Sequence, residues 1–200
     1  LDHKRKISMF CDVALENVIA CEDAKSIYDV PLILENEGLA SRVCSKVGLE
    51  NRPNKFGEWK HFVETLHNPT LKTVPIGIVG KYTELSDSYL SVVEALKHAA
   101  VANECHLDIH WINSEELNSS SIARLMNVSG LLIPGGFGER GIEGKICAAQ
   151  FAREKNMPLL GLCLGMHIIA IEFARNMLDL TGANSTEFVK STTHPIISLL

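Results

Sequence analysis

The chain has 200 residues, 46% of them hydrophobic and 22% charged, with a formal net charge of −5. This length holds one full domain, or one domain and a piece of another, and the composition is ordinary for a soluble globular protein. The acidic balance argues against a nucleic-acid partner, and no apolar run reaches the ~18 residues of a membrane span; the longest, Met166 to Ala174, is interrupted by Glu172.

In chain order, "KISMFCDV" (6–13) and "NVIACED" (17–23) read as strands, and 31–46 reads as one helix. "GLENRPNKFGEW" is rich in Gly, Pro and Asn and reads as a loop or linker. "EWKHFVETLHNP" reads as a short helix ended by Asn68-Pro69. From Thr73 the pattern becomes regular. "VPIGIVG" is a short apolar strand, and Ser86 or Asp87 is placed to cap a helix running to about Ala102. "HLDIHWI" alternates as a strand, and Ser114 is placed to cap a helix to Met126. "SGLLIPGG" is a strand, 141–155 a helix, "MPLLGLC" a strand. Residues 165–176 form a helix apolar nearly all round, hence buried. Strands alternating with helices predict an α/β fold: a doubly wound, flavodoxin-like, mostly parallel sheet with helices on both faces, preceded by a partial α/β segment. Ligands of such sheets sit at the carboxyl ends of the strands.

The chain opens "LDHKRK" without a signal peptide or an initiator Met and stops in "PIISLL". Both ends are expected to be cuts through a longer protein. The six cysteines form no CxxC pair and no zinc spacing, so no metal site is expected. Most of them read as buried thiols, which fits a reducing, cytoplasmic setting.

Cys163 is the exception. In "GLCLGMH" it stands where a strand meets a helix, with Gly161 and Gly165 two residues to either side. A sharp strand-to-helix turn exposes its central side chain but crowds the neighbours, and glycine removes the Cβ atoms that would clash. This is the nucleophile-elbow arrangement with sulfur in place of oxygen. The helix N-terminus beyond it favours a thiolate. A core cysteine among flexible glycines would leave the same short pattern. A second element narrows the choice. "LLIPGGFGERG" ends the preceding strand in a glycine run, whose bare N–H groups can face a developing oxyanion. Leu164, the residue after the nucleophile, can supply another N–H.

"PGGFGERG" followed by "GLCLGMH" resembles the class I glutamine amidotransferases. Together with "GIVGKYTELSDSY", "EALKHA", "FARE", "LGLCLGM" and "ANSTEF", the resemblance is closest to the CTP synthases and spans essentially the whole chain. It implies that residues 1–72, with "KISMFCDV" and "SIYDVPLIL", are the C-terminal part and linker of an amidoligase domain. Residues 73–200 would be the N-terminal part of a glutaminase domain, cut before its His-x-Glu dyad. The family makes CTP from UTP, with ATP and Mg and with ammonia from glutamine, is activated by GTP, and is expected to form a homotetramer. By the same resemblance, Cys163 forms a glutamyl thioester. Gly136, Leu164, Gly165, Met166, His167 and Glu187 contact glutamine, with Glu187 on its α-ammonium. Lys6 touches the uridine or cytidine nucleotide, and Glu22, Asp23 and Ala24 line the ATP adenine.

Two departures from the family stand out. His167 replaces the usual Gln and lies four residues after Cys163 on the same helix face; it reads as a substrate contact, a neutral replacement or, least of all, a general base. No His-x-Glu and no GxxxxGK[ST] occurs in the sequence, so the Mg and phosphate site is expected outside this chain and the chain alone is expected to be inactive. Another amidotransferase, such as a GMP synthetase, or a non-catalytic redox-sensing or binding domain would share the elbow but not "NSTEF" or the block before residue 73.

Overall fold

The computed structural model describes residues 2–50, 52–53, 55–83, 85–118 and 120–198, with Ser86 described in its backbone alone. Contacts divide the chain into two compact units, Leu1–Pro69 and Thr70–Leu200.

In the first unit every regular element among the described residues is helical. These are α1 (Asp2–Cys11), a 3-10 turn at Leu15–Asn17, α2 (Val30–Asn36), α3 (Leu39–Val47) and α4 (Gly57–His67). The two strands expected over 6–13 and 17–23 are therefore absent: the first lies in α1, the second in the 3-10 turn and in irregular chain. A strand leaves its N–H and C=O groups unpaired without a neighbour, whereas a helix satisfies them internally. The helix expected over 31–46 is two helices. They break at Gly38, whose φ of 79° lies in the left-handed region. Little is buried: α1, α2 and α3 contain no buried residue. Tyr28 and Val63 are the buried apolar residues. Tyr28 packs against Phe62 (centroids 5.0 Å) and Trp59 (5.8 Å), and the Trp59 indole N–H donates to the Tyr28 carbonyl at 2.9 Å.

The second unit carries the sheet. Its strands are β1 (Lys72–Gly80), β2 (Cys105–Asn113), β3 (Gly130–Ile133) and β4 (Leu159–Gly161), all parallel, in the order β2-β1-β3-β4. Helix α5 (Leu90–Ala102) joins β1 to β2, α6 (Ile142–Glu154) joins β3 to β4, and α7 (Leu164–Met177) follows β4. Right-handed crossovers running in opposite directions from the centre place α5 on one face and α6 on the other, the doubly wound α/β arrangement expected. A small parallel pair, β5 (Asn184–Ser185) and β6 (Pro195–Ile197), follows. The core lies between the sheet and α6 and α7, with Val79, Ile133, Leu125, Ile168 and Ile171 wholly buried. Each such side chain contributes roughly 1.5–3 kcal/mol by leaving water.

Three local expectations give way. Helix α5 is preceded by a 3-10 turn, Ser86–Tyr89, and takes no side-chain cap. Asp87 lies inside that turn, and the Ser86 side chain lies outside the described residues. No α-helix directly follows Ser114: residues 114–118 and 120–121 are turn-rich and knit by the Asn118 and Ser121 side chains, ahead of a 3-10 helix at Ile122–Asn127. Such short polar side chains compete with helical hydrogen bonds. Helix α7 is also not buried all round. Leu164, Ile168, Ile171 and Ala174 face the core, but Met166, Phe173 and Met177 are about half exposed (55%, 48% and 49%). Its apolar outer side lines a groove with Gly161, Leu178 and Ile196.

Buried Glu172 on α7 receives a bidentate pair from Arg153 on α6, Nη2 donating to Oε1 at 2.8 Å and Nε to Oε2 at 3.2 Å. This explains a carboxylate inside an apolar run, because a buried charge is tolerated when paired and hydrogen-bonded. No described helix is long and apolar enough to cross a membrane.

Candidate active site

The carboxyl ends of β1, β3 and β4 deliver Lys81, the glycine run 135–138 and Cys163 to the same edge of the sheet. Cys163 caps α7 with φ 52° and ψ −108°. A non-glycine residue there is uncommon and costs on the order of 1–3 kcal/mol. The turn works only with bare neighbours. A Cβ on Gly161 would lie 2.5 Å from the Gly165 carbonyl, and one on Gly165 would lie 2.1 Å from the Ile133 backbone oxygen. The flanking glycines thus let the first turn of α7 press against the ends of β3 and β4, and they leave the Cys163 side chain exposed. Leu164, the first helical residue, has no intrahelical acceptor for its N–H. The other cysteines depart from the expectation of buried thiols: Cys11 and Cys21 are exposed, and Cys44, Cys105 and Cys147 are half-buried.

Beside the elbow, Gly135 approaches so closely that a Cβ there would contact the Cys163 Cβ at 3.5 Å. A Cβ on Gly136 would sit 3.6 Å from Leu164 and 4.0 Å from the Lys145 Nζ. The glycine run is held from behind. Lys81 donates from Nζ to the carbonyls of Phe137 (2.6 Å) and Gly138 (3.1 Å). Its own N–H donates to the Tyr89 hydroxyl at 3.0 Å. Burial first, then the nearby Arg140, pushes the Lys81 ammonium below its usual range. Lys145 is fully buried, and its Nζ has no hydrogen-bond partner. Burial and then Lys81 push it down to about 8. Neither lysine was singled out from the sequence, although Lys81 stands in "GIVGKYTELSDSY". A lysine inside an otherwise buried face, as in "GKICAAQFA", is the available signal.

His167 lies one turn after Cys163, and its N–H reaches the Cys163 carbonyl at 3.4 Å. Its ring Nδ1 is buried without a hydrogen-bond partner, and the Glu187 carboxylate faces it at 4.0 Å. Glu187 is delivered by buried Asn184 and Ser185, the Ser185 hydroxyl accepting its N–H at 3.2 Å. Arg175 ties this segment back to α7 through the Ala183 carbonyl at 2.7 Å. So Cys163, Gly136, Leu164, Gly165 and the facing pair His167 and Glu187 belong to one corner of the second unit, with Met166 exposed beside them. Lys6, Glu22 and Asp23 stand exposed in the first unit and Ala24 is half-buried there. Among the described residues, no three His, Cys, Asp or Glu side chains gather as a metal site.

Residues 84–198 match the family described as glutamine amidotransferase class-I, and residues 1–49 match CTP synthase N-terminus. The chain is similar to the CTP synthase of Cyanothece sp., 54% identical over 98% of this chain and 36% of the relative. It is likewise similar to that of Bacillus subtilis, at 48% over all of this chain and 37% of the relative. It thus spans a little over a third of the length of these curated relatives. Among solved structures, the glutaminase domain of Trypanosoma brucei CTPS with bound acivicin matches with a TM-score of 0.60 and 40% identity. That match covers 63% of this chain and 50% of that one.

Proposed function

The chain belongs to the CTP synthase family, and on that premise we propose that the intact protein aminates UTP to CTP with ATP, using ammonia released from glutamine at Cys163. The observation that carries this reading is the strained Cys163 turn over Gly161 and Gly165, set directly against Gly135 and Gly136. The Cys163 sulfur attacks the side-chain carbonyl carbon of glutamine. The carbonyl oxygen takes the charge and is met by the N–H groups of Gly136 and Leu164. The carbon–nitrogen bond breaks, ammonia leaves with a proton, and a thioester remains. Water then releases glutamate and restores the thiol. Glu187 holds the α-ammonium of glutamine, with His167 beside it, and Gly165 and Met166 complete the wall.

In this reading residues 73–200 are the first part of the glutaminase domain, and residues 1–72 end the amidoligase domain. Lys6 contacts the pyrimidine nucleotide there, and Glu22, Asp23 and Ala24 lie along the ATP adenine. ATP with Mg drives the ligation, GTP activates the glutaminase, and the intact protein is a cytoplasmic homotetramer.

Cys163→Ala in the full-length protein tests the division of labour. Glutamine-dependent CTP formation should vanish while ammonia-dependent formation persists. A folded variant that added ammonia fails to rescue would overturn the assignment.

A further inference from the structure

We propose that His167 makes glutamine capture pH-dependent, by competing in its protonated form with the substrate's α-ammonium for the Glu187 carboxylate. This rests on the reading of the corner as a glutamine site. A buried ring nitrogen without a partner is costly, and the Nδ1 of His167 faces a single carboxylate 4.0 Å away. With Nδ1 unprotonated, the Glu187 carboxylate keeps its full charge for an incoming ammonium. With the ring protonated, Nδ1–H pairs with Glu187, the carboxylate is neutralised and an incoming ammonium meets a cation. A glutamine side chain at position 167 carries no titrating proton and cannot become a competing cation.

Other charges also surround this pair. Of the elements packed on α7, strands β3, β4, β5 and β6 carry no titratable side chain. On α6, Arg153 and Glu143 are engaged by Glu172 and Arg175, Glu154 accepts from the Gln150 amide, Cys147 is half-buried, and Lys145 stands beside Gly136. On its own helix His167 has Cys163 one turn away. Beyond the strand ends, Lys81 is the cation whose charge acts with that of Glu187.

The test is the Michaelis constant for glutamine in ammonia release by the full-length protein, measured from acid to alkaline pH. In the wild type it should rise roughly fivefold or more from the alkaline to the acid end, as the competent fraction shrinks. His167→Gln should abolish that slope, whatever its absolute value. Glu187→Gln should raise the constant at every pH and also lose the slope. Parallel pH profiles in wild type and His167→Gln would overturn the competition while leaving the glutamine site intact. A collapse of kcat in His167→Gln would replace it with a proton-transfer role. Absence of glutamine-dependent ammonia release from the wild type would remove the site itself.

Discussion

The two units solve the same problem with unequal means. The second buries a contiguous core between a parallel sheet and two helices. The first buries Tyr28 and Val63 and leaves Ile7, Met9, Phe10, Val43 and Val47 exposed, with an apolar groove between the 12–19 segment and α3. A helix satisfies its backbone locally, so α1 and α3 exist with almost nothing packed on them. A parallel strand cannot do so, and the described strands all lie where a neighbour pairs with them. Where long-range contacts are dense, close approaches carry the structure; where they are sparse, local hydrogen bonding does.

The two tryptophans make this contrast measurable, because Trp59 reports on the first unit and Trp111, stacked on Tyr89, on the second. The largest effect is expected at Gly165→Ala. Alanine gains about 1 kcal/mol in helix propensity. Its Cβ, however, meets a backbone oxygen at 2.1 Å, and the displacement needed should cost at least about 3 kcal/mol. Urea unfolding followed by Trp111 in a Trp59→Phe background should shift strongly downward. The Trp59 signal in a Trp111→Phe background should not move. Equal shifts in both would mean that the units unfold as one.

Legibility in the sequence followed the same division. The elbow, its glycines and the alternation of strands and helices are local patterns, and residues 73–113 and 129–176 adopt the expected elements apart from their caps. "KISMFCDV" has the composition of a strand, but composition carries no information about a missing neighbour, so α1 was misread. The run after Ser114 was misread because Asn118 and Ser121 bond to the nearby backbone. Lys145 was passed over because a charged residue on a helix is ordinarily solvated. Only the packing reveals that it is enclosed.

Lys145→Met is the intermediate case. The ammonium's folded value is about 8, below its ordinary 10.5. Between those values the unfolded chain holds a proton that the folded chain has lost, so stability rises with pH across this window and the penalty is full below it. The variant should be more stable than wild type by about 2 kcal/mol at pH 7. Its advantage should fade toward pH 10.5, as read by Trp111-monitored denaturation at several pH values. A variant less stable than wild type at neutral pH would show that the amine finds a partner in solution. The smallest effect belongs to the first unit. Trp59→Phe removes the donor to the Tyr28 carbonyl and should cost the helices about 1 kcal/mol, read by helical circular dichroism, without moving the Trp111 transition. A larger loss would mean that the aromatic cluster, not local helix formation, holds that unit together.

The backbone of Cys163 has a consequence for how such a protein can change over generations. Its positive φ is a standing cost that glycine would not bear. Replacement by glycine would remove the sulfur and relax the fold in one step. Descendants that no longer need the reaction therefore have a downhill route to a sturdier, inert copy, and only continued demand for the chemistry keeps the strained cysteine in place.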